Sequence, residues 1–329
     1  MSKIGAIKGG FAPLLCCFQR FLIILSISFH WQFLMVGFKH TIETHHFVMH
    51  DSSKIEQRDR WQAELKLDYQ LNGDKTCLAK KSQKGPLTVQ RPFYPEGGIC
   101  HNYILHPPGG VVGGDQLQIT LKANQGAHSL ITTPGATKFY RSKADLESQQ
   151  TQTISVDSNA VVEWLPQQNI FFSGARSRLN TVIDIQEGGK FIGWEMHCFG
   201  RPANQEGFDE GAIKSCTQII INNELRLVEQ LNTEGNALSQ SACGLRDHSM
   251  QASLMAAPFS EAHKEKLEQL LQDYPYKDLI GLTLVDEILV IRVLGDRVEP
   301  IFDIFISLWS ALRSEWLQLS ACPPRIWDT

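Results

Sequence analysis

The sequence predicts a mainly β protein with two α-helices near its C-terminus, in a layered or helical β architecture. From Trp61 onward, short runs alternate apolar and polar residues, and Gly, Asn and Asp punctuate them. A helical period replaces the alternation only beyond about Ser260. Alternation sends successive side chains to opposite faces, so one face of each run can enter a core. Strands at this spacing, without intervening helices, fit a sandwich, barrel or solenoid rather than a sheet of βαβ units. No repeat of fixed length is visible, so a regular solenoid is not specified.

The elements follow in order. Residues 21–38, "FLIILSISFHWQFLMVGF", are almost wholly apolar and follow Lys3, Lys8 and Arg20. Such a run is near the lower limit for spanning a bilayer, and His30 and Gln32 interrupt it. No convincing small-residue cleavage site follows. Residues 1–48 are read as an apolar extension outside the fold, with translation starting downstream at Met35 or Met49. A membrane anchor and a buried helix are the alternatives, and membrane partnership is not expected. Residues 49–329 are read as one β-rich domain.

Strands are predicted at "QLQITLKA" from Gln116, "TQTISV" from Thr151, "SRLNTVIDI" from Ser177, "KFIGWEMHCF" from Lys190, "IKSCTQIII" from Ile213 and "ELRLVEQL" from Glu224. The breaks "NQG", "VDSN", "QEGG", "INN" and "NTEGN" have turn chemistry, because Gly and Asn tolerate positive φ. The run "SEAHKEKLEQLLQDY" opens on a Ser cap and carries Leu267, Leu270 and Leu271 at helical spacing. A hairpin turning near Asp286 and Glu287 comes next, in which a one-residue slip would swap the faces. A second helix over residues 300–319 carries the stripe Phe302, Phe305, Leu308, Trp309, Leu312 and Trp316, read as core.

With 329 residues, 43% of them hydrophobic and 20% charged, the chain is ordinary globular stock. A formal charge of -4 offers no basic footprint for nucleic acid. The eight cysteines form no CxxC pair, which argues against zinc ribbons and thioredoxin-like chemistry and for reduced thiols in the cytoplasm.

The motif "HPPGGVVGGD" comprises His106, Pro107, Pro108, Gly109, Gly110, the valine pair, Gly113, Gly114 and Asp115. A Walker loop would need Lys and Ser or Thr after its last Gly; Asp115 and Gln116 stand there, and an aspartate repels phosphate. The first reading is a structural turn, with Pro fixing φ and Gly supplying conformations closed to other residues. A metal site using His106 and Asp115 has no third ligand close in sequence. Two Cys–His neighbours, Cys100 with His101 and His197 with Cys198, are possible weak ligands for nickel or zinc. Adjacent strand residues face opposite ways, so each pair offers one ligand at most, and buried uncoordinated residues are the plainer reading. Glu163, Glu195 and Glu229 lie in apolar strand-like runs, where an inward carboxylate must be paired, hydrated or metal-bound. No GxSxG, HExxH or SxxK motif is present, so no catalytic residue is assigned.

Five longer strings are specific in combination: "GPLTVQRPFYPEGG", "HPPGGVVGGD", "TTPGATKFYRS", "EWLPQQNIFFSGAR" and the terminal "RIWDT". In their order and spacing the chain resembles the urease accessory protein family UreD, also called UreH, from Trp61 to about Trp327. The resemblance implies a scaffold rather than an enzyme, mostly β with two C-terminal helices. It further implies that urease apoprotein is bound on one side and UreF on the other, UreF recruiting the GTPase UreG, so that nickel is inserted into urease. Nickel would then be in transit rather than a tightly bound cofactor, along an internal polar passage. The family's acidic position in the glycine motif maps to Asp115, with Glu195 and Glu229 as further nickel-path candidates. Some relatives carry an acid where this chain has Gln116, so a role needing paired carboxylates there departs from the pattern. The alternatives are a β-rich enzyme using His106 and Asp115 as an acid–base pair, and a nickel-storage protein.

Overall fold

A computed structural model describes residues 61–143, 146–272, 274–275 and 277–328. The reading of residues 1–48, with the apolar run, lies outside the described residues. The chain opens with β1 (Gln62–Asn72), β2 (Lys75–Lys84), β3 (Thr88–Val89) and β4 (Cys100–Leu105). Past the glycine motif come β5 (Gln116–Ala123), β6 (His128–Thr132), β7 (Thr137–Phe139), β8 (Ser148–Val156), β9 (Val161–Leu165) and β10 (Asn169–Phe171). β11 (Arg176–Ile185), β12 (Lys190–Phe199), β13 (Ala212–Ile221), β14 (Glu224–Glu234) and β15 (Met250–Ala257) follow. α1 (Lys264–Gln272), the hairpin β16 (Ile280–Val285) and β17 (Ile288–Gly295), and α2 (Val298–Leu312) end the chain.

Two sheets share the strands. One has the order β14-β13-β11-β8-β5-β1-β2; the other runs β16-β17-β15-β12-β9-β6-β4-β3, with β10 and β7 added beside β12. The chain passes back and forth between them, so the neighbours β5, β8, β11 and β13 are parallel although, among the described residues, no α-helix connects them. The predicted layered or helical β architecture is the one observed, with stacked strands forming a solenoid-like middle and antiparallel pairs at the ends.

Register turns the sequence alternation into rungs. Leu121, Ile154, Ile183 and Ile219 pair across four strands and are buried between the sheets. One rung along, two residues earlier in β5, β8, β11 and β13, stand Ile119, Gln152, Thr181 and Thr217. The opposite sheet changes in the same way, from Gly193, Met255 and Val290 to Glu195, Ser253 and Arg292. The inter-sheet space is therefore apolar at one level and polar at the next.

A third layer is helical. Ile192, Trp194, Leu254 and Ile291 on the outer face of the larger sheet pack against Ile301, Ile304, Phe305, Leu308 and Trp309 of α2. The strands beneath α2 are buried on both faces, which is why β12 reads as nearly continuous apolar sequence. The predicted stripe holds, except that Phe302 is half-buried while Ile301 and Ile304 take central places. α1 starts at Lys264, after a 3-10 turn, rather than at Ser260. The Ser260 hydroxyl meets His263 Nδ1 at 3.0 Å and makes no backbone cap, so that expectation is corrected. The hairpin turns where expected, with Asp286 at positive φ.

Candidate functional site

Alternation along β12 sends Phe191, Gly193, Glu195 and His197 into the inter-sheet space, and Ile192, Trp194, Met196 and Cys198 toward the helices. The Glu195 carboxylate accepts hydrogen bonds from Thr181 Oγ1 at 2.7 Å and Thr217 Oγ1 at 3.2 Å. His197 Nε2 lies 3.9 Å from Glu195, and its Nδ1 faces the Asn169 amide nitrogen at 3.4 Å. Burial pushes the His197 pKa down, more than the Glu195 and Glu229 charges pull it up, so the imidazole is neutral. Glu229, from β14, accepts from Ser253 Oγ at 3.2 Å and from both Nε and Nη2 of Arg292.

These groups line a row of cavities. The first, about 470 Å³, is bordered by His106, Pro107, Gln150, Gln152, Trp164, Asn169 and Glu195, among others. Glu195 also lines the second, a neck of about 20 Å³ shared with His197, Ser215, Thr217 and Ser253. Glu229, Leu231 and Gln251 line both the neck and a third cavity of about 710 Å³. The neck has room for about one water molecule. In the first cavity's wall, Gln152 Oε1 and Trp164 Nε1 are buried without a protein partner.

The structure therefore brings Glu195, Glu229 and His197 to one place and leaves Asp115 elsewhere. Asp115 is 7% exposed, and its two oxygens accept backbone N–H groups from Trp61 at 3.3 Å and Val112 at 3.0 Å. It borders neither cavity nor neck. In this structure Asp115 anchors the turn, with each oxygen held by a backbone N–H group. The glycines act as the turn reading expects: a Cβ at Gly110 would lie 2.2 Å from the Tyr140 ring, and Gly114 has φ +96°. His106 stands at the cavity mouth, with burial lowering its pKa against the pull of Asp115, but no hydrogen bond joins the two into an acid–base pair.

The Cys–His neighbours split as strand geometry requires. Cys100 faces the inter-sheet core, while His101 points away to Glu96 at 2.6 Å. Cys198 lies against the helical layer, with burial raising its thiol pKa to about 11. Glu163 also faces the helices. It is fully buried, within 2.7 Å of His128 Nε2, accepts from Trp309 Nε1, and lies 3.7 Å from Arg313. Arg313 in turn donates to Glu96 at 2.6 Å. Sequence reasoning missed Arg292, Arg313 and the hydroxyls of Thr181, Thr217 and Ser253. The signal for Thr181 and Thr217 was the Ser and Thr residues on the inward phase of "SRLNTVIDI" and "IKSCTQIII". Among the described residues, no three His, Cys, Asp or Glu side chains are grouped to hold a metal ion, and no helix is long and apolar enough to cross a membrane.

Two sheets around a polar interior, with carboxylates spaced singly along it, define a layered β protein whose site is a row of neighbouring cavities that share lining residues rather than one fixed metal centre. The comparisons carry the class to a family. Residues 62–328 match the model of the UreD urease accessory protein, and the chain belongs to that family. It is 47% identical over 273 residues to the urease accessory protein UreD of Escherichia coli, covering 82% of this chain and 97% of that one. The corresponding protein of Aliivibrio fischeri strain MJ11 is 44% identical over 278 residues, covering 82% and 96%. That of Pseudomonas putida strain GB-1 is 41% identical over 281 residues, covering 84% and 99%. These relatives are named as accessory proteins, not enzymes, and the chain is a non-catalytic factor of urease maturation.

Proposed function

We propose that the chain is the scaffold on which urease receives its nickel: it holds urease apoprotein and UreF, reaches UreG through UreF, and lends its inter-sheet cavities to nickel ions in transit. The observation that carries this reading is the cavity row with Glu195 and Glu229 at its neck. A divalent ion crossing a protein interior needs oxygen or imidazole partners in place of water, held loosely enough to release it. Hydroxyl-supported Glu195, neutral His197 and Glu229 supply such groups without closing into a multidentate cage. GTP hydrolysis is assigned to the GTPase and the working compartment is the cytoplasm.

Co-expression with the urease subunits and UreF tests the scaffold. A complex that co-purifies, together with loss of urease activation when the chain is deleted, is the expected result. Failure to bind either urease or UreF overturns it. For the path, Glu195→Gln and Glu229→Gln are expected to assemble normally yet lower the nickel content of urease several-fold. Normal nickel content in both overturns the path while leaving the scaffold standing.

A further inference from the structure

The two acids of the neck are not held alike. Glu195 is supported by neutral hydroxyls, whereas Glu229 carries a cation: Arg292 donates from Nε to Oε1 at 3.2 Å and from Nη2 to Oε2 at 3.0 Å. Arg292 and Ser253 are direct cross-strand neighbours on β17 and β15, while Glu229 belongs to the end strand of the other sheet. The pair therefore bridges the sheets at the boundary between the neck and the third cavity, which both residues line. The Glu229 side chain is 15% exposed and that of Arg292 48%, so the acid is shielded while its partner reaches solvent. A divalent cation approaching Glu229 from the third cavity meets a positive charge already occupying both carboxylate oxygens.

We infer that Arg292 is a gate: by occupying Glu229 it shuts the cavity row to divalent cations on that side, and an ion passes only when the guanidinium is drawn off. The inference rests on the nickel-path reading and adds its regulation. A half-exposed arginine on a long, flexible stem can exchange one carboxylate for another at little cost, so an acidic group on a protein docked over the third cavity is the chemistry that opens it. The other mouth, around His106 and Pro107, has no Arg or Lys in its lining.

Nickel titration of the full chain in complex with UreF tests the gate. Arg292→Gln keeps an N–H donor for Glu229 and removes the charge, so Ni²⁺ affinity is expected to rise on the order of tenfold. Arg292→Lys, which keeps the charge, stays near wild type. Adding Glu229→Gln to Arg292→Gln abolishes the gain. Thermal melts establish that each variant is folded. Equal Ni²⁺ affinity in wild type and Arg292→Gln, or a gain that survives Glu229→Gln, overturns the gate. Normal urease activation by the Glu195→Gln and Glu229→Gln variants overturns the path reading instead, and the affinity measurement is independent of it.

Discussion

Asp115 and Glu163 show how differently two buried acids can be used. Asp115 holds two backbone N–H groups that anchor the glycine turn to the start of β1. Asp115→Ala leaves them unpaired beneath the turn, at a cost of about 1–3 kcal/mol, while Asp115→Asn keeps one carbonyl acceptor and loses less. Thermal melts should rank wild type, Asn and Ala in that order, and nickel delivery should be normal wherever the variant is folded.

Glu163 is different because its charge is buried. Desolvation would raise its pKa, but the hydrogen bond and charge of His128, the Arg313 charge and the Trp309 hydrogen bond together outweigh it, and the net shift is downward. A carboxylate depressed in the folded state contributes stability above its ordinary pKa and loses it as pH falls through the folded value. Urea denaturation between pH 7 and pH 3 should therefore show wild type losing stability toward acid. Glu163→Gln should be less stable at neutral pH, by about 1–3 kcal/mol because His128 and Trp309 lose a charged partner while Arg313 keeps Glu96, yet flatter toward acid. A variant with the wild-type acid slope would assign that slope to other groups.

At the scale of elements, β12 and α2 are the pair to compare. Both ends of β12, Lys190 and Phe199, were legible from the sequence, because turn residues bracket an apolar run of strand length. Which of its faces meets the lumen was not, since both faces are buried and apolar residues occupy both. The second helix was legible from its stripe, but its bond to the sheet was not: Trp309 Nε1 meets Glu163 across 146 residues of chain, a pairing that no local pattern contains. The same holds for Arg292 and Glu229, 63 residues apart and in different sheets. Periodicity reports which residues share a face; register and sheet stacking decide what that face meets. Trp309→Phe keeps most of the bulk and removes the donor, and should cost about 1–3 kcal/mol. Trp309→Ala also opens a cavity under α2 and should cost about 3–5 kcal/mol. Denaturant titration separates the two, and equal losses would mean that packing alone, without the hydrogen bond, secures the helix.

For the whole molecule, the decisive property is that two sheets change from apolar to polar at the same level. Parallel stacking of strands that alternate between sheets makes this possible, because each rung lines up side chains from four strands, all apolar at one level and polar in three of the four at the next. A lumen of this sort needs both space and polarity, and β13 offers a way to remove either. Ser215 and Thr217 point into the neck, while Gln218 belongs to the other face of the strand. Ser215→Leu fills a neck of about 20 Å³ at an overpacking cost of about 1–3 kcal/mol, which a sheet of this size tolerates. Thr217→Val keeps the volume and removes one of the two hydroxyls supporting Glu195. If ions cross the neck, Ser215→Leu should assemble with urease and UreF yet deliver several-fold less nickel, measured as metal per urease active site. Thr217→Val should deliver an intermediate amount, and Gln218→Leu should match wild type. Wild-type delivery by Ser215→Leu would place the route outside the sheets, since a neck one water wide cannot pass a cation once a leucine stands in it.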